Sequence, residues 1–390
     1  MKVFVKSGKE ASIARFHPWV FSGALQSVPE EVADGEVVEV CRHDGQVLGV
    51  GHFHRGNIAV RLLAFGAADV QSPAFWEQKL RDARALRQAL GLLEGDGYRW
   101  VHGEGDGLSG LIVDVYGQTA VIQCHSIGMH RQRLQIAHAL LRVGAPSVKA
   151  VFDKSADTLP ENYARQVKNG YLIGEGGHSC IVAENGVRFR VDWEGGQKTG
   201  FFLDQRDNRQ LLARLSADKT VLNAFAYTGG FSCYALKAGA ALVHSVDISA
   251  KATALLEENI ALNQPFSGKH EAFTADALEF LQKTNYRYDI VVVDPPAFAK
   301  SLDKRHKAVM GYKRLNAAAL RRVAPGGLLF TFSCSQVVSR ELFEHTLTAA
   351  ALEVGRPVRV LYRLSQAPDH PVNLYHPEGA YLKGLVLQVS

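Results

Sequence analysis

From residue 206 onward the chain alternates short apolar runs with helical stretches, and no other feature constrains its fold as strongly. Val221-Leu222-Asn223 leads into a glycine-containing turn and a helix opening after Gly230. Leu242-Val243-His244-Ser245-Val246 leads into a helix over 251–263, and Ile290-Val291-Val292-Val293 follows. Another helical stretch precedes Leu328-Leu329-Phe330-Thr331-Phe332. Strands alternating with helices form a parallel, doubly wound sheet, so an α/β domain is expected here. The tail differs, since 357–364 and 380–389 read as two closing strands with no helix between them.

The first 70 residues follow another rule. Val37-Val38-Glu39-Val40, Val47-Leu48-Gly49-Val50 and Ile58-Ala59-Val60-Arg61-Leu62-Leu63 are short strand-like runs separated by Asp34-Gly35, Asp44-Gly45 and Arg55-Gly56-Asn57. Regular short strands with turn signals between them predict a small β-barrel. Ser72-Pro73 then caps a helix from 74 to about 90, with Leu80, Ala83, Leu86 and Leu90 at helical spacing. Strands at 111–115, 120–124, 150–153 and 187–191, with a helix over 131–143, give an α+β insert. A chain of 390 residues exceeds the size at which one core stops growing. We therefore divide it into domains 1–70, 71–195 and 196–390.

Composition removes several classes of function. Apolar runs break long before the ~20 residues that span a bilayer, so no membrane partner is expected. The opening Lys2-Val3-Phe4-Val5-Lys6 alternates like a strand and lacks a secretory signal's apolar stretch, which reads as cytoplasmic. Five cysteines without a CxxC pair or a Cys/His cluster exclude a disulfide framework and a metal site, so no metal is assigned. A net charge of +5 permits a polyanionic partner without demanding one.

Ligands of doubly wound sheets sit beyond the carboxyl ends of the strands, near the switch in strand order. Asn223-Ala224-Phe225-Ala226-Tyr227-Thr228-Gly229-Gly230-Phe231 occupies that place after the first strand. About twenty residues later Val246-Asp247-Ile248 puts a carboxylate at the second tip, where it can accept both hydroxyls of a ribose. Ala275-Asp276-Ala277 offers a third polar tip for an adenine amino group. A dinucleotide's pyrophosphate needs G-x-G-x-x-G opening onto a helix; this loop has paired glycines lined by Phe225 and Tyr227, and a cofactor without phosphates fits better.

The fourth strand ends in Asp294-Pro295-Pro296-Ala297-Phe298. Two prolines remove two backbone donors and stiffen the turn, so a flat base can lie on them while Asp294 or a carbonyl meets its polar edge. The fifth strand ends in Thr331-Phe332-Ser333-Cys334-Ser335, placing Cys334 at the neighbouring tip. A thiolate suits addition at C6 of a pyrimidine, which makes C5 nucleophilic enough to take a methyl group. Cys41, Cys124, Cys180 and Cys233 have no such neighbour and read as core or bystander residues.

These motifs resemble the bacterial ribosomal RNA large subunit methyltransferase I family, which forms 5-methylcytosine in 23S ribosomal RNA. The resemblance covers nearly the whole chain. It takes in His17-Pro18-Trp19-Val20-Phe21-Ser22-Gly23-Ala24 and Lys198-Thr199-Gly200-Phe201-Phe202-Leu203-Asp204-Gln205-Arg206, together with the loop after the first strand and the motifs around Asp294 and Cys334. It implies an N-terminal PUA-like RNA-binding β-barrel, a central α+β domain and a C-terminal Rossmann-like class I methyltransferase domain. It further implies S-adenosyl-L-methionine as cofactor, 23S ribosomal RNA as partner and Cys334 as nucleophile, and leaves a homodimer open. Gln205 and Arg206 would lie near the cofactor's amino-acid end, with Arg206 able to pair with its carboxylate. The expected cofactor set is then Gln205, Arg206, Asn223, Phe225, Tyr227, Gly229, Gly230, Asp247, Ile248, Asp276, Ala277 and Asp294, with Pro295, Pro296 and Phe298 against the base.

One departure has a chemical consequence. Broader RNA 5-methylcytosine enzymes often carry a second cysteine after the double proline that helps release product; here Ala297 stands there, so a base or water must act instead. A relative methylating guanine N7 shares the double proline but has Asn where Cys334 stands. Two rival readings are an N-methyltransferase in which Cys334 is a bystander, and a noncatalytic RNA-binding protein that retains a cofactor pocket.

Overall fold

The computed structural model describes residues 1–299 and 301–390. The chain forms two compact units: Met1–Val182 with Val191–Leu203 and Pro368–Gly379, and Ala183–Arg190 with Asp204–Ala367 and Ala380–Ser390.

In the first unit the N-terminal strands Lys2–Val5, Trp19–Phe21, Leu25–Ser27, Val37–Cys41, Val47–Phe53 and Ile58–Phe65 build one six-stranded sheet around a core of Val3, Val5, Ile13, Val20, Val38, Val40 and Val60. Gly51 is required where two strands touch, since a Cβ there would lie 2.1 Å from the Arg61 carbonyl oxygen. A five-stranded sheet follows, covered by helices Pro73–Ala89 and Arg133–Gly144. Ser72 caps the first of these by accepting from the Phe75 amide, as its position before Pro73 predicts.

The buried stripe of that helix is not the expected one. Trp76, Leu80, Ala83 and Arg87 face inward, while Leu86 and Leu90 are exposed. Trp76 sets the phase, and positions 76, 80, 83 and 87 then share one face. Arg87 completes the stripe because its guanidinium is satisfied by the Asp106 carboxylate and the Arg99 and Asp369 carbonyls. The expected strand at 187–191 is found as Val187–Asp192, but it pairs with Ser179–Glu184 in a separate two-stranded sheet.

The second unit is the doubly wound sheet. Its strands are β1 (Thr220–Ala224), β2 (Leu242–Asp247), β3 (Lys269–Thr274), β4 (Tyr288–Val293), β5 (Val323–Ser333), β6 (Val358–Leu364) and β7 (Lys383–Val389). They lie in the order β3-β2-β1-β4-β5-β7-β6. The first five are parallel, whereas β7 runs antiparallel to β5 and β6 antiparallel to β7. The helices are α1 (Arg206–Arg214), α2 (Gly230–Lys237), α3 (Ala250–Leu262), α4 (Ala277–Lys283), α5 (Arg305–Arg322) and α6 (Arg340–Val354). Leu222, Val291, Val293 and Leu329 pack with Tyr312, Leu320, Phe343 and Leu347 in one core. Register aligns the tips: Ala224 stands opposite Val246 and Val293, and Val293 opposite Thr331.

Candidate active site

Strand order reverses at β1, which has β2 on one side and β4 on the other, so the crevice for a ligand opens beyond their carboxyl ends. The loop after β1 is shaped by backbone that side chains rarely tolerate. Phe225 and Tyr227 have φ of 61° and 47°, and Gly229 has 82°. A Cβ on Gly229 would also stand 2.8 Å from the Leu256 side chain, so only glycine closes this turn against α3.

Asp247 at the β2 tip fastens that loop. One carboxylate oxygen accepts from the Tyr227 amide at 2.8 Å and the other from the Ser249 amide at 2.9 Å. Each oxygen keeps a further lone pair, so the pre-oriented carboxylate can accept ribose hydroxyls. Beside it Ile248 is 72% exposed, an apolar surface open at the tip. Asp276 is exposed and caps α4 through the Glu279 amide, whereas Ala277 is packed in the core. Loop, carboxylate and exposed isoleucine fit an adenosine-bearing ligand without phosphates.

Two expected cofactor residues have buried partners of their own within the fold. The Asn223 side chain is buried and donates to Ser232, which continues to Ser245 and His270. Arg206 is also buried, with Nε 3.3 Å from the Glu184 carboxylate, which Arg209 and Tyr234 share. A buried guanidinium needs a counter-charge, and Glu184 supplies one. A cavity of about 470 Å³ lined by His244, Phe273, Phe280 and Tyr286 lies beside β2 and β3; Ala275 is its one residue from the expected tips.

At the other tips the expected residues converge. Asp294 follows β4 and accepts from Gln205 Nε2 at 2.9 Å, while Asn208 holds the Gln205 oxygen at 2.6 Å. Burial, then the nearby Asp204 charge, pushes the Asp294 carboxyl up to about 7. Pro295 is buried and Pro296 exposed. Phe298 packs on Tyr312 of α5, ring centroids 4.5 Å apart, so its ring belongs largely to the wall of the site.

Cys334 directly follows β5 and is half-buried between two fully buried serines. Ser335 is pinned by Tyr312, whose hydroxyl lies 3.1 Å from the serine oxygen. Burial, followed by the Asp294 and Asp204 carboxylates, pushes the Cys334 thiol up to about 11. A cation opposes them: Lys383 begins β7 opposite Ser333, is 5% exposed, and donates from Nζ to the Ser335 carbonyl at 2.7 Å. Burial brings Lys383 down to about 8, with the Cys334 charge acting the other way. Sequence reading missed Lys383, because nothing in Leu382-Lys383-Gly384 marks the lysine as buried. Asp204 and Tyr381 also belong here, their side chains joined by a 2.6 Å hydrogen bond. Among the described residues no cluster of metal-ligating side chains is found.

Residues 131–386 match the S-adenosylmethionine-dependent methyltransferase family, and residues 3–65 match a PUA-like domain. Fold and strand tips together therefore define an S-adenosylmethionine-dependent methyltransferase carrying a PUA-like domain. Ribosomal RNA large subunit methyltransferase I of Pseudoalteromonas atlantica is 37% identical, over 100% of this chain and 99% of that protein. The protein of the same name from Shewanella amazonensis is 38% identical, over 100% and 99%. The chain belongs to the ribosomal RNA large subunit methyltransferase I family, as its motifs implied. A putative S-adenosylmethionine-dependent methyltransferase from Streptococcus mutans shares the fold over 100% of both chains, with a TM-score of 0.84 at 23% identity. A putative methyltransferase solved in complex with SAH superposes equally fully, with a TM-score of 0.85 at 23% identity.

Proposed function

We propose that the protein methylates C5 of a cytosine in large-subunit ribosomal RNA, using S-adenosylmethionine and Cys334 as nucleophile. The observation that carries this reading is the pairing of tips on adjacent strands: Asp294-Pro295-Pro296 after β4 and Cys334 after β5, with Val293 and Thr331 in register. Large-subunit ribosomal RNA enters through the names of the relatives. We assign the ribose to Asp247, the adenine to Ile248 and Asp276, and a stacked cytosine to Pro295 and Pro296.

S-adenosylmethionine, when bound there, supplies an electrophilic methyl group on a positively charged sulfur. Cys334 gives up its thiol proton to solvent and adds as the thiolate to C6, which raises electron density at C5. Asp294, its carboxyl raised to about 7, exchanges a proton near neutral pH, and its protonated form gives that proton to N3 as the sulfur adds. Lys383 stands beside the thiol as the positive charge that favours its thiolate. The target base must be single-stranded or flipped to enter the crevice.

Within this reading residues 1–70 supply RNA affinity, 71–195 connect, and 196–390 perform the chemistry. Several basic side chains of the first segment are already engaged: Lys2 with Glu39, Arg42 with Asp44, Lys6 with the Gly23 carbonyl, Arg55 with the Glu30 and Val32 carbonyls, and Arg61 over Trp19. Lys9 and Arg15 are exposed and are assigned to phosphate.

Cys334→Ser tests the reading. A serine hydroxyl without a dedicated base is a far poorer nucleophile, so the variant should bind S-adenosylmethionine as the parent does yet transfer no methyl group. Full activity in that variant would reduce Cys334 to a core residue and favour methylation at nitrogen.

A further inference from the structure

The reaction proposed above leaves one proton without a destination. After methylation C5 carries both a methyl group and a hydrogen, and product forms only when that hydrogen is removed. Ala297 stands where related enzymes carry a cysteine that assists this step, so a base elsewhere in the fold, or water, must act instead.

Among the described residues three ionisable groups bear on Cys334: Asp294, Asp204 and Lys383. Asp294 is occupied by Gln205 and serves N3 as a proton donor. Lys383 directs Nζ to the Ser335 carbonyl and provides the positive charge beside the sulfur. Asp204 differs from both. It immediately precedes Gln205, and its backbone oxygen is tied by the Ala367 amide at 2.9 Å. The Tyr381 hydroxyl donates to one carboxylate oxygen at 2.6 Å, which fixes the rotamer. Oδ1, the other oxygen, is buried and accepts no hydrogen bond from any of the described residues.

An unsatisfied buried carboxylate oxygen costs stability, and such groups persist where chemistry uses them. Asp204 is covalently joined to Gln205, whose amide holds Asp294, and its charge acts on both Asp294 and Cys334, so its carboxylate stands beside nucleophile and acid. We infer that Asp204 is the general base that takes the C5 proton, with Tyr381 as the positioning residue that aims its free oxygen. This assignment rests on the cytosine C5 reading. The C5–H electron pair becomes the C5–C6 double bond, the C6–S bond breaks, and its electrons leave with Cys334 as thiolate. The proton, now on Asp204, passes to solvent, and N3 returns its proton to Asp294.

Blocking this step while sparing the earlier ones should strand RNA on the protein. The test incubates methyl-labelled S-adenosylmethionine and total RNA from a strain lacking the protein with wild type, Asp204→Asn, Asp204→Glu and Lys383→Met, followed by denaturing gels. Asp204→Asn should accumulate a labelled, denaturant-resistant RNA–protein adduct and lose turnover by roughly a hundredfold or more, the range of general-base catalysis. Asp204→Glu should restore part of the turnover and shed the adduct. The assignment is overturned if Asp204→Asn turns over normally, if it forms no adduct and binds cofactor poorly, or if the adduct accumulates with Lys383→Met instead. Wild type run on RNA containing 5-fluorocytosine separates the two levels. A trapped wild-type adduct together with any of those outcomes rejects Asp204 alone, while no trapped adduct rejects the C5 reading and this assignment with it.

Discussion

At the scale of single residues, the site works through charges that a strand tip cannot dilute. Asp294 and Asp204 both raise the Cys334 thiol, so removing either carboxylate charge should lower it. Alkylation of Cys334 followed against pH should therefore begin at lower pH in Asp294→Asn than in wild type; an unshifted profile would place the carboxylate outside the reach of the sulfur. The same carboxylate leaves a mark on stability. Its folded value, about 7, lies above the ~3.9 of an unfolded aspartate, so folding favours the protonated form. That contribution is fully present below the unfolded value and is lost as pH rises through about 7. Urea unfolding of wild type and Asp294→Asn at pH 5 and pH 8 should show wild type losing ground to the variant at the higher pH. Cys334 and Asp294 were legible in the sequence because each ends an apolar run. Asp204 and Lys383 acquire their meaning only from burial, which Lys383 receives through antiparallel pairing with a strand fifty residues earlier in the chain.

At the scale of elements, parallel strands announced themselves by continuous apolar runs, and β3 did not. Its Lys269-His270-Glu271-Ala272-Phe273-Thr274 is polar because it forms the sheet edge and is only partly covered, so its tip was legible while the strand was not. The loop after β1 and the carboxylate of β2 act as one device, since Asp247 holds the Tyr227 amide that shapes the loop. Asp247→Ala should weaken S-adenosylmethionine binding by about 1.5–3 kcal/mol, the worth of a hydrogen bond to a charged acceptor. Calorimetry showing unchanged affinity would remove Asp247 from the cofactor site. Position in a motif leaves a side chain's partners within the fold unstated: Arg206 at the start of α1 pairs with the carboxylate of Glu184. Glu184→Gln should leave Arg206 and Arg209 without their counter-charge and cost about 3–5 kcal/mol, read as a lowered unfolding midpoint. A smaller change would mean that water or another acid satisfies the pair.

At the scale of the whole molecule, the first segment cannot simply be cut away. Val50 and Leu63 belong to the core that also holds Trp76, Trp100 and Leu140, so deleting residues 1–70 would open that core. Charge reversal is the cleaner test of RNA affinity. Lys9→Glu with Arg15→Glu should weaken RNA binding and lower its salt dependence by about one unit of slope per lost phosphate contact, while S-adenosylmethionine binding persists. The central claim, carbon methylation of cytosine through Cys334, is tested most directly by the product. Total RNA from a strain lacking the protein, incubated with purified protein and labelled S-adenosylmethionine and then digested to nucleosides, should carry its label in 5-methylcytidine. Label in an N-methylated nucleoside would contradict the account.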